Sequence, residues 1–253
     1  NLRNLKMNKK ILIQIANQMV ADSKGILAIY ESHGTCKKRF DALNIEVTEE
    51  NRRSYRDMLV TASSLTKYIS GAILFDETIK QSTSQGISFP DYLDKIGIIP
   101  GIKVDAGAKP FPCHPNEKIT EGLDDLPRRM EEYKSLGAKF AKWRAVITIG
   151  DSIPSNACMI ANSHALARYA SICQEVDIVP IVEPEVLMDG THDIQKCFDV
   201  TNATQSILFE TLDKLNVDLS GIILKPNMIS SGASCEKKSS SEEIAELTVK
   251  CLS

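Results

Sequence analysis

The chain has 253 residues, 43% hydrophobic and 25% charged, with a formal net charge of -3. That length supplies one large domain or two small ones with ample core. The near-balanced charge excludes a dominant electrostatic attraction to nucleic acid or a membrane surface, while leaving room for a local basic patch that binds a phosphorylated small molecule.

The first periodic segment, KKILIQIANQMVADSK, sets Leu12, Ile15, Ala16, Met19 and Val20 on one helical face, and Gln14, Asn17 and Gln18 interrupt any signal-peptide core. No run approaches the roughly 20 apolar residues of a membrane span, so no membrane insertion is expected. Short apolar runs then recur at GILAIY (25–30), GAILFD (71–76), IIPGIKVD (98–105), AKFAKWRAV (138–146), IVPIVEPE (178–185) and SGIILKPN (220–227). Helical periodicity covers 48–63, 124–136, 155–175, 193–215 and 241–251, with a shorter segment near 89–95. This rhythm predicts a parallel sheet with right-handed helical crossovers. No linker divides it, so residues 1–253 read as a single domain. Seven cysteines, at 36, 113, 158, 173, 197, 235 and 251, form no Cys-x-x-Cys pair. They fit reduced thiols of a cytoplasmic protein, with Cys158 and Cys173 as small hydrophobes on helices. The Asn202-Ala203-Thr204 sequon is then a chance match.

Charge gathers where the apolar runs end. Glu31 closes the first, Lys103 and Asp105 the third, Lys142 and Arg144 the fourth, Glu183 and Glu185 the fifth and Lys225 the sixth. Residues i and i+2 of a strand share a side. Five runs ending this way point to a polar site at the C-terminal mouth of a βα barrel. Lys225 ends a run expected to be buried on both faces and is followed at once by Pro226. Such a lysine is either a snorkelling strand end or a reactive amine, since burial disfavours the ammonium form and makes the neutral amine available as a nucleophile.

These residues meet a known family. The segments ENRRSYRDML, GAILFDET, IIPGIKVDAG, GLDDLPRRMEEYKSLGAKFAKWR, LARYASICQEVDIVPIVEPEVLMDG and LKPNM closely resemble class I fructose-1,6-bisphosphate aldolase. The resemblance implies a TIM (β/α)8-type barrel and a Schiff-base enzyme of glycolysis and gluconeogenesis. Such an enzyme cleaves fructose 1,6-bisphosphate to dihydroxyacetone phosphate and glyceraldehyde 3-phosphate. The resemblance also implies no metal and no other cofactor, a cytoplasmic location and a homotetramer. Lys225 matches the imine-forming lysine, Glu183 the general acid/base with Glu185 in support, and Lys142, Arg144 and Lys103 the basic residues around the substrate, with Asp105 beside them. Glu31 matches an acid next to the imine, and Ser32, Lys38, Arg39 and Arg52 match further phosphate and substrate residues. Trp143 reads as a packing residue.

Two departures stand out. Where the family has Asp in a sequence of the form ADES, this chain has Tyr30 in IYES. A phenol, with an ordinary pKa of about 10, is the wrong species to accept a hydroxyl proton at neutral pH, and its bulk is expected to intrude on the substrate unless its rotamer turns away. Only about six βα units are legible, against the eight of a complete barrel. The expectation is therefore a fragment lacking the last two units. The alternative reading is a catalytically impaired relative acting as a binding or scaffold protein. A zinc-dependent aldolase is disfavoured, because His33, His114, His164 and His192 form no HxxxH-type pair; His164 reads as a helix-surface residue and His192 as a helix start. A transaldolase would share Lys225 but not the VEPE and AKWR contexts.

Overall fold

The apolar runs, too short and too rich in branched residues for helices, pair side by side in parallel. The computed structural model describes residues 7–253. A six-stranded sheet joins β1 (Gly25–Ala28), β2 (Ile69–Leu74), β3 (Ile99–Lys103), β6 (Phe140–Ile147), β7 (Val179–Val186) and β8 (Ile223–Leu224) in that order. Between β3 and β6 lies a separate antiparallel hairpin, β4 (Ala108–Pro110) with β5 (Lys118–Thr120). The sequential order is that of a TIM-barrel wall, here incomplete: among the described residues β1 and β8 are edges and do not pair with each other.

Alternation of side chains gives the sheet two apolar faces. On the outer one, Ala72, Leu74, Ile102, Trp143 and Val182 pack beneath Leu93 of α6 (Phe89–Lys95), Met130 of α7 (Leu126–Ser135), Leu166 of α8 (Asn156–Glu175) and Leu208 of α9 (Ile194–Lys214). Trp143 is fully buried, its ring 5.5 Å from that of Tyr169, so it packs as expected. On the inner face, Ile73, Ile99, Phe140, Val179 and Ile181 meet Leu12, Ala16 and Met19 of α1 (Lys9–Met19). Val20 departs from its expected place on that helical face: it caps the C-terminus of α1 and is exposed.

The Phe140 ring lies across Gly101, where a Cβ would come within 2.3 Å of its Cζ. Overpacking of this kind costs about 1–3 kcal/mol. Gly101→Ala is therefore expected to lower the urea midpoint by that equivalent, and an unchanged midpoint would show that Phe140 swings aside freely.

Caps fix the helix starts near their expected positions. Thr48 accepts from Asn51 N before α3 (Glu49–Val60), Ser155 from Cys158 N before α8 and Asp193 from Lys196 N before α9. Ser240 and Glu243 form a capping box on α10 (Ser241–Leu252). Four short elements escaped the periodicity: α2 (His33–Asp41), α4 (Leu65–Tyr68), α5 (Asp76–Ile79) and the β4–β5 hairpin. α2 buries only Cys36 and Phe40, and the others are three or four residues long, below any periodic window. Two strand ends also differ. β1 stops at Ala28, leaving Tyr30 and Glu31 in the following loop. β8 is two residues long, because Leu219–Gly221 forms a 3-10 turn and Pro226 lacks the N–H that would extend the ladder.

Candidate active site

Along each central strand the inner face changes from apolar to charged at one level. Phe140 is followed by Lys142 and Arg144, Ile181 by Glu183 and Glu185, Ile223 by Lys225, and Ile99 and Gly101 by Lys103 and Asp105. Parallel register aligns these rungs: Lys142 stands opposite Lys103 and Ile181, and Arg144 opposite Glu183. Lys142 and Glu183 thus lie inside long strands rather than at their ends, since β6 and β7 continue to Ile147 and Val186.

At the centre, the Glu183 carboxylate bridges two lysines. Its Oε2 is 2.8 Å from Lys142 Nζ, with the two side chains 2% and 1% exposed, and its Oε1 accepts a hydrogen bond from Lys225 Nζ. Lys142 Nζ also donates to the Tyr30 hydroxyl at 3.0 Å and stands 4.6 Å from the centre of that ring. Burial pulls the Lys142 pKa down, but the charge of Glu183 and the hydrogen bonds to Glu183 and Tyr30 outweigh it, leaving the ammonium favoured beyond its ordinary range. In this chain the Lys225 side chain is 55% exposed, as that of a snorkelling strand end would be. What sets it apart is contact with a buried carboxylate. The Tyr30 hydroxyl rests on Lys142 and its ring meets the inner apolar cluster, while the residue also lines the neighbouring cleft.

Ion pairs flank this centre. Lys103 Nζ donates to Asp105 Oδ1 at 2.7 Å, and Asp105 also accepts from the backbone N–H groups of Gly107 and Arg144. Arg144 pairs with Glu185; burial pulls the guanidinium pKa down, and Glu185 more than compensates. Glu31 accepts from Arg39 and from the Tyr55 hydroxyl at 3.1 Å. Ser32 caps α2 through Thr35 N. Tyr30, Glu31, Ser32, Arg39, Lys103 and Asp105 line a cleft of about 610 Å³. Two expected residues lie apart from this cluster. Lys38 is exposed on α2, and among the described residues it pairs with no acid. Arg52 is turned to Glu77, with Nε to Oε2 at 2.8 Å and Nη2 to Oε1 at 2.7 Å.

A buried carboxylate between two lysines on one barrel wall suits imine chemistry, and the comparisons decide the family. The profile described as "Glycolytic: Fructose-bisphosphate aldolase class-I" matches residues 11–253. The chain belongs to the class I fructose-bisphosphate aldolase family. It is 58% identical over 246 residues to the "Probable fructose-bisphosphate aldolase class 1" of Xanthomonas axonopodis pv. citri, covering 97% of this chain and 74% of that protein. It is 49% identical to "Fructose-bisphosphate aldolase 1" of Toxoplasma gondii, covering 96% and 68%. The solved structure of fructose-bisphosphate aldolase from Plasmodium falciparum in complex with TRAP and a small molecule inhibitor superposes with a TM-score of 0.94 at 46% identity, covering 96% of this chain and 71% of that one.

Four residues that support this aldolase-family site were not legible in the sequence. Arg56, 2% exposed, donates to the carbonyls of Ile29 and Glu31 and lies 3.2 Å from Glu31 Oε2, which ties α3 to the end of β1. Tyr55 joins it on Glu31. Glu77 holds Arg52 and lies 3.0 Å from His33 Nε2. Asn227 accepts from Val186 N and donates to Thr201 Oγ1 at 3.1 Å, lacing the segment after Lys225 to β7 and α9. The i, i+3, i+4 spacing of Arg52, Tyr55 and Arg56 within ENRRSYRDML was the available signal for one helical face. His164 is exposed on α8, as expected. His192 lies in the loop just before α9, where neither buried ring nitrogen has a hydrogen-bond partner among the described residues.

Proposed function

We propose that this chain is a Schiff-base aldolase that cleaves fructose 1,6-bisphosphate to dihydroxyacetone phosphate and glyceraldehyde 3-phosphate, and catalyses the reverse condensation in glycolysis. The observation that carries the reading is Glu183, buried and held between Lys142 and Lys225. Lys225, in its neutral form, attacks the substrate ketone, and the carbinolamine loses water to leave a protonated imine. Glu183, already hydrogen-bonded to Lys225 Nζ, carries protons to and from that centre. The iminium draws in the electrons of the breaking C3–C4 bond, a task that needs no metal or organic cofactor. Lys142 balances the charge of the Glu183 carboxylate. Arg39 and Lys103 on the cleft, with Ser32 at the start of α2, are the groups proposed to receive phosphate; Lys38 and Arg52 join them only if their side chains turn inward.

The partner implied is a phosphorylated sugar, and the family supports a cytoplasmic homotetramer as the working form. No helix among the described residues is long and apolar enough to cross a membrane. The second reading, a binding or scaffold relative with impaired cleavage, is favoured by Tyr30 and opposed by the intact Lys225, Glu183 and Lys142 cluster. Borohydride added with dihydroxyacetone phosphate is expected to trap a stable adduct on Lys225, and EDTA is expected to leave activity unchanged. An adduct mapped to another lysine would overturn the assignment, and activity lost to the chelator would point to metal-assisted chemistry.

A further inference from the structure

Breaking the C3–C4 bond of a ketose imine requires a group that takes the proton of the C4 hydroxyl. The carboxylates around the site are already engaged. Glu183 is shared by two lysines and serves the nitrogen of Lys225. Asp105 is held by Lys103 and two backbone N–H groups, Glu31 by Arg39, Arg56 and Tyr55, and Glu185 by Arg144. The Tyr30 oxygen differs from all of them. It lines the cleft, and its one hydrogen-bond partner among the described residues is the Lys142 ammonium, at 3.0 Å.

We propose that Tyr30 is the catalytic proton acceptor of the cleavage step, with Lys142 balancing the charge of its phenolate; this rests on the Schiff-base reading above. The residues Tyr30, Lys142, Glu183 and Lys225 form one unbroken polar chain from the loop after β1, through β6 and β7, to the residue after β8. One carboxylate between two ammonium groups leaves a single positive charge on that chain, and the Lys142 end of it faces the phenol. Other charges near Tyr30 are neutralised locally: Arg144 of β6 by Glu185, Lys103 of β3 by Asp105, and Glu31 of its own loop by Arg39 and Arg56.

The step balances. The phenolate takes the C4 hydroxyl proton, the O–H electron pair becomes the aldehyde C=O, and the C3–C4 pair becomes the C2=C3 bond of a neutral enamine as the iminium nitrogen regains its lone pair. An iminium cation and a phenolate anion are consumed, and a neutral enamine, a neutral phenol and an aldehyde are produced. Tyr30 then returns its proton to water before the next turnover. Since a phenol is mostly protonated at pH 7, the fraction of competent enzyme rises with pH.

The test is the pH profile of cleavage by the full-length protein and its Tyr30→Phe and Tyr30→Asp variants, with borohydride trapping on Lys225 measured alongside. Wild-type kcat is expected to climb with a positive slope between pH 7 and pH 9, as a step that consumes a phenolate requires. Tyr30→Phe should lose that slope and fall about 10²- to 10⁴-fold below wild type at pH 9. Tyr30→Asp should be flat above pH 6 and at least about tenfold faster than wild type at pH 7, because a carboxylate is already ionised there. All three proteins should trap dihydroxyacetone phosphate on Lys225, which shows that each is folded. A Tyr30→Phe protein that traps normally and keeps the wild-type profile overturns the proposal, as does a wild type that traps but shows no alkaline rise. Wild type that fails to trap at Lys225 instead overturns the Schiff-base reading itself.

Discussion

Lys225→Met is expected to abolish borohydride trapping and to lower kcat for cleavage by more than about 10⁴-fold, the scale of loss when a covalent enzyme gives up its nucleophile. Stability should hardly move. Lys225 is more exposed than buried, its link to Glu183 reaches into solvent, and such pairs contribute about 0–1 kcal/mol. Glu183 also keeps its second lysine in this variant. The informative comparison is therefore between turnover and melting temperature in the same preparation. Activity within tenfold of wild type would remove Lys225 from the chemistry, and a collapse in melting temperature would show that the lysine is structural.

Glu183→Gln should reverse that pattern by damaging both. Lys142 is almost completely buried, and the amide cannot balance its charge. Removing one partner of a buried ion pair costs about 3–5 kcal/mol, a large share of the 5–15 kcal/mol that stabilises a typical domain. Loss of a positioned acid/base should also lower turnover by about 10²- to 10⁴-fold. Lys142→Met is the control, because it removes the buried charge along with its hydrogen bonds, so its stability loss should be smaller. The pH dependence carries a definite sign. Burial lowers the Lys142 pKa, and Glu183 and Tyr30 raise it further than burial lowers it, so the folded value lies above the ordinary 10.5. The pair's stabilisation is then complete below about pH 10.5 and is lost as pH climbs through the folded value. Urea titrations of wild type and Glu183→Gln should show a constant gap up to pH 10 that narrows above it. A gap that widens with alkali, or is absent at pH 7, would mean that Lys142 is not held as an ammonium ion by Glu183.

The architecture was largely legible because it rests on periodicity. A run of branched apolar residues with period two and a helix with period 3.6 announce themselves locally. The six parallel strands, the helices between them and the inward placement of Lys142, Arg144, Glu183, Glu185 and Lys225 all follow from that pattern. Long sequence segments carried the family. The Tyr30 departure was also visible as a plain change of residue type.

Tertiary structure decided which charges meet, because pairing across a sheet depends on register and on chain segments far apart in sequence. IYES alone does not show that Tyr30 lies on Lys142, 112 residues away, or that Arg52 turns to Glu77 and not to the cleft. Burial was likewise undetermined. SGIILKPN reads as a strand enclosed on both faces, yet among the described residues only Ile223 and Leu224 pair, because Pro226 ends the ladder, and the Lys225 side chain is 55% exposed. The sequence by itself determined the residue types and which of them share a side of their strand. The desolvation of Lys142 and Glu183 and the neighbour of Tyr30 were settled only when the strands came into register, since the electrostatics of a charge depend on what surrounds it in space.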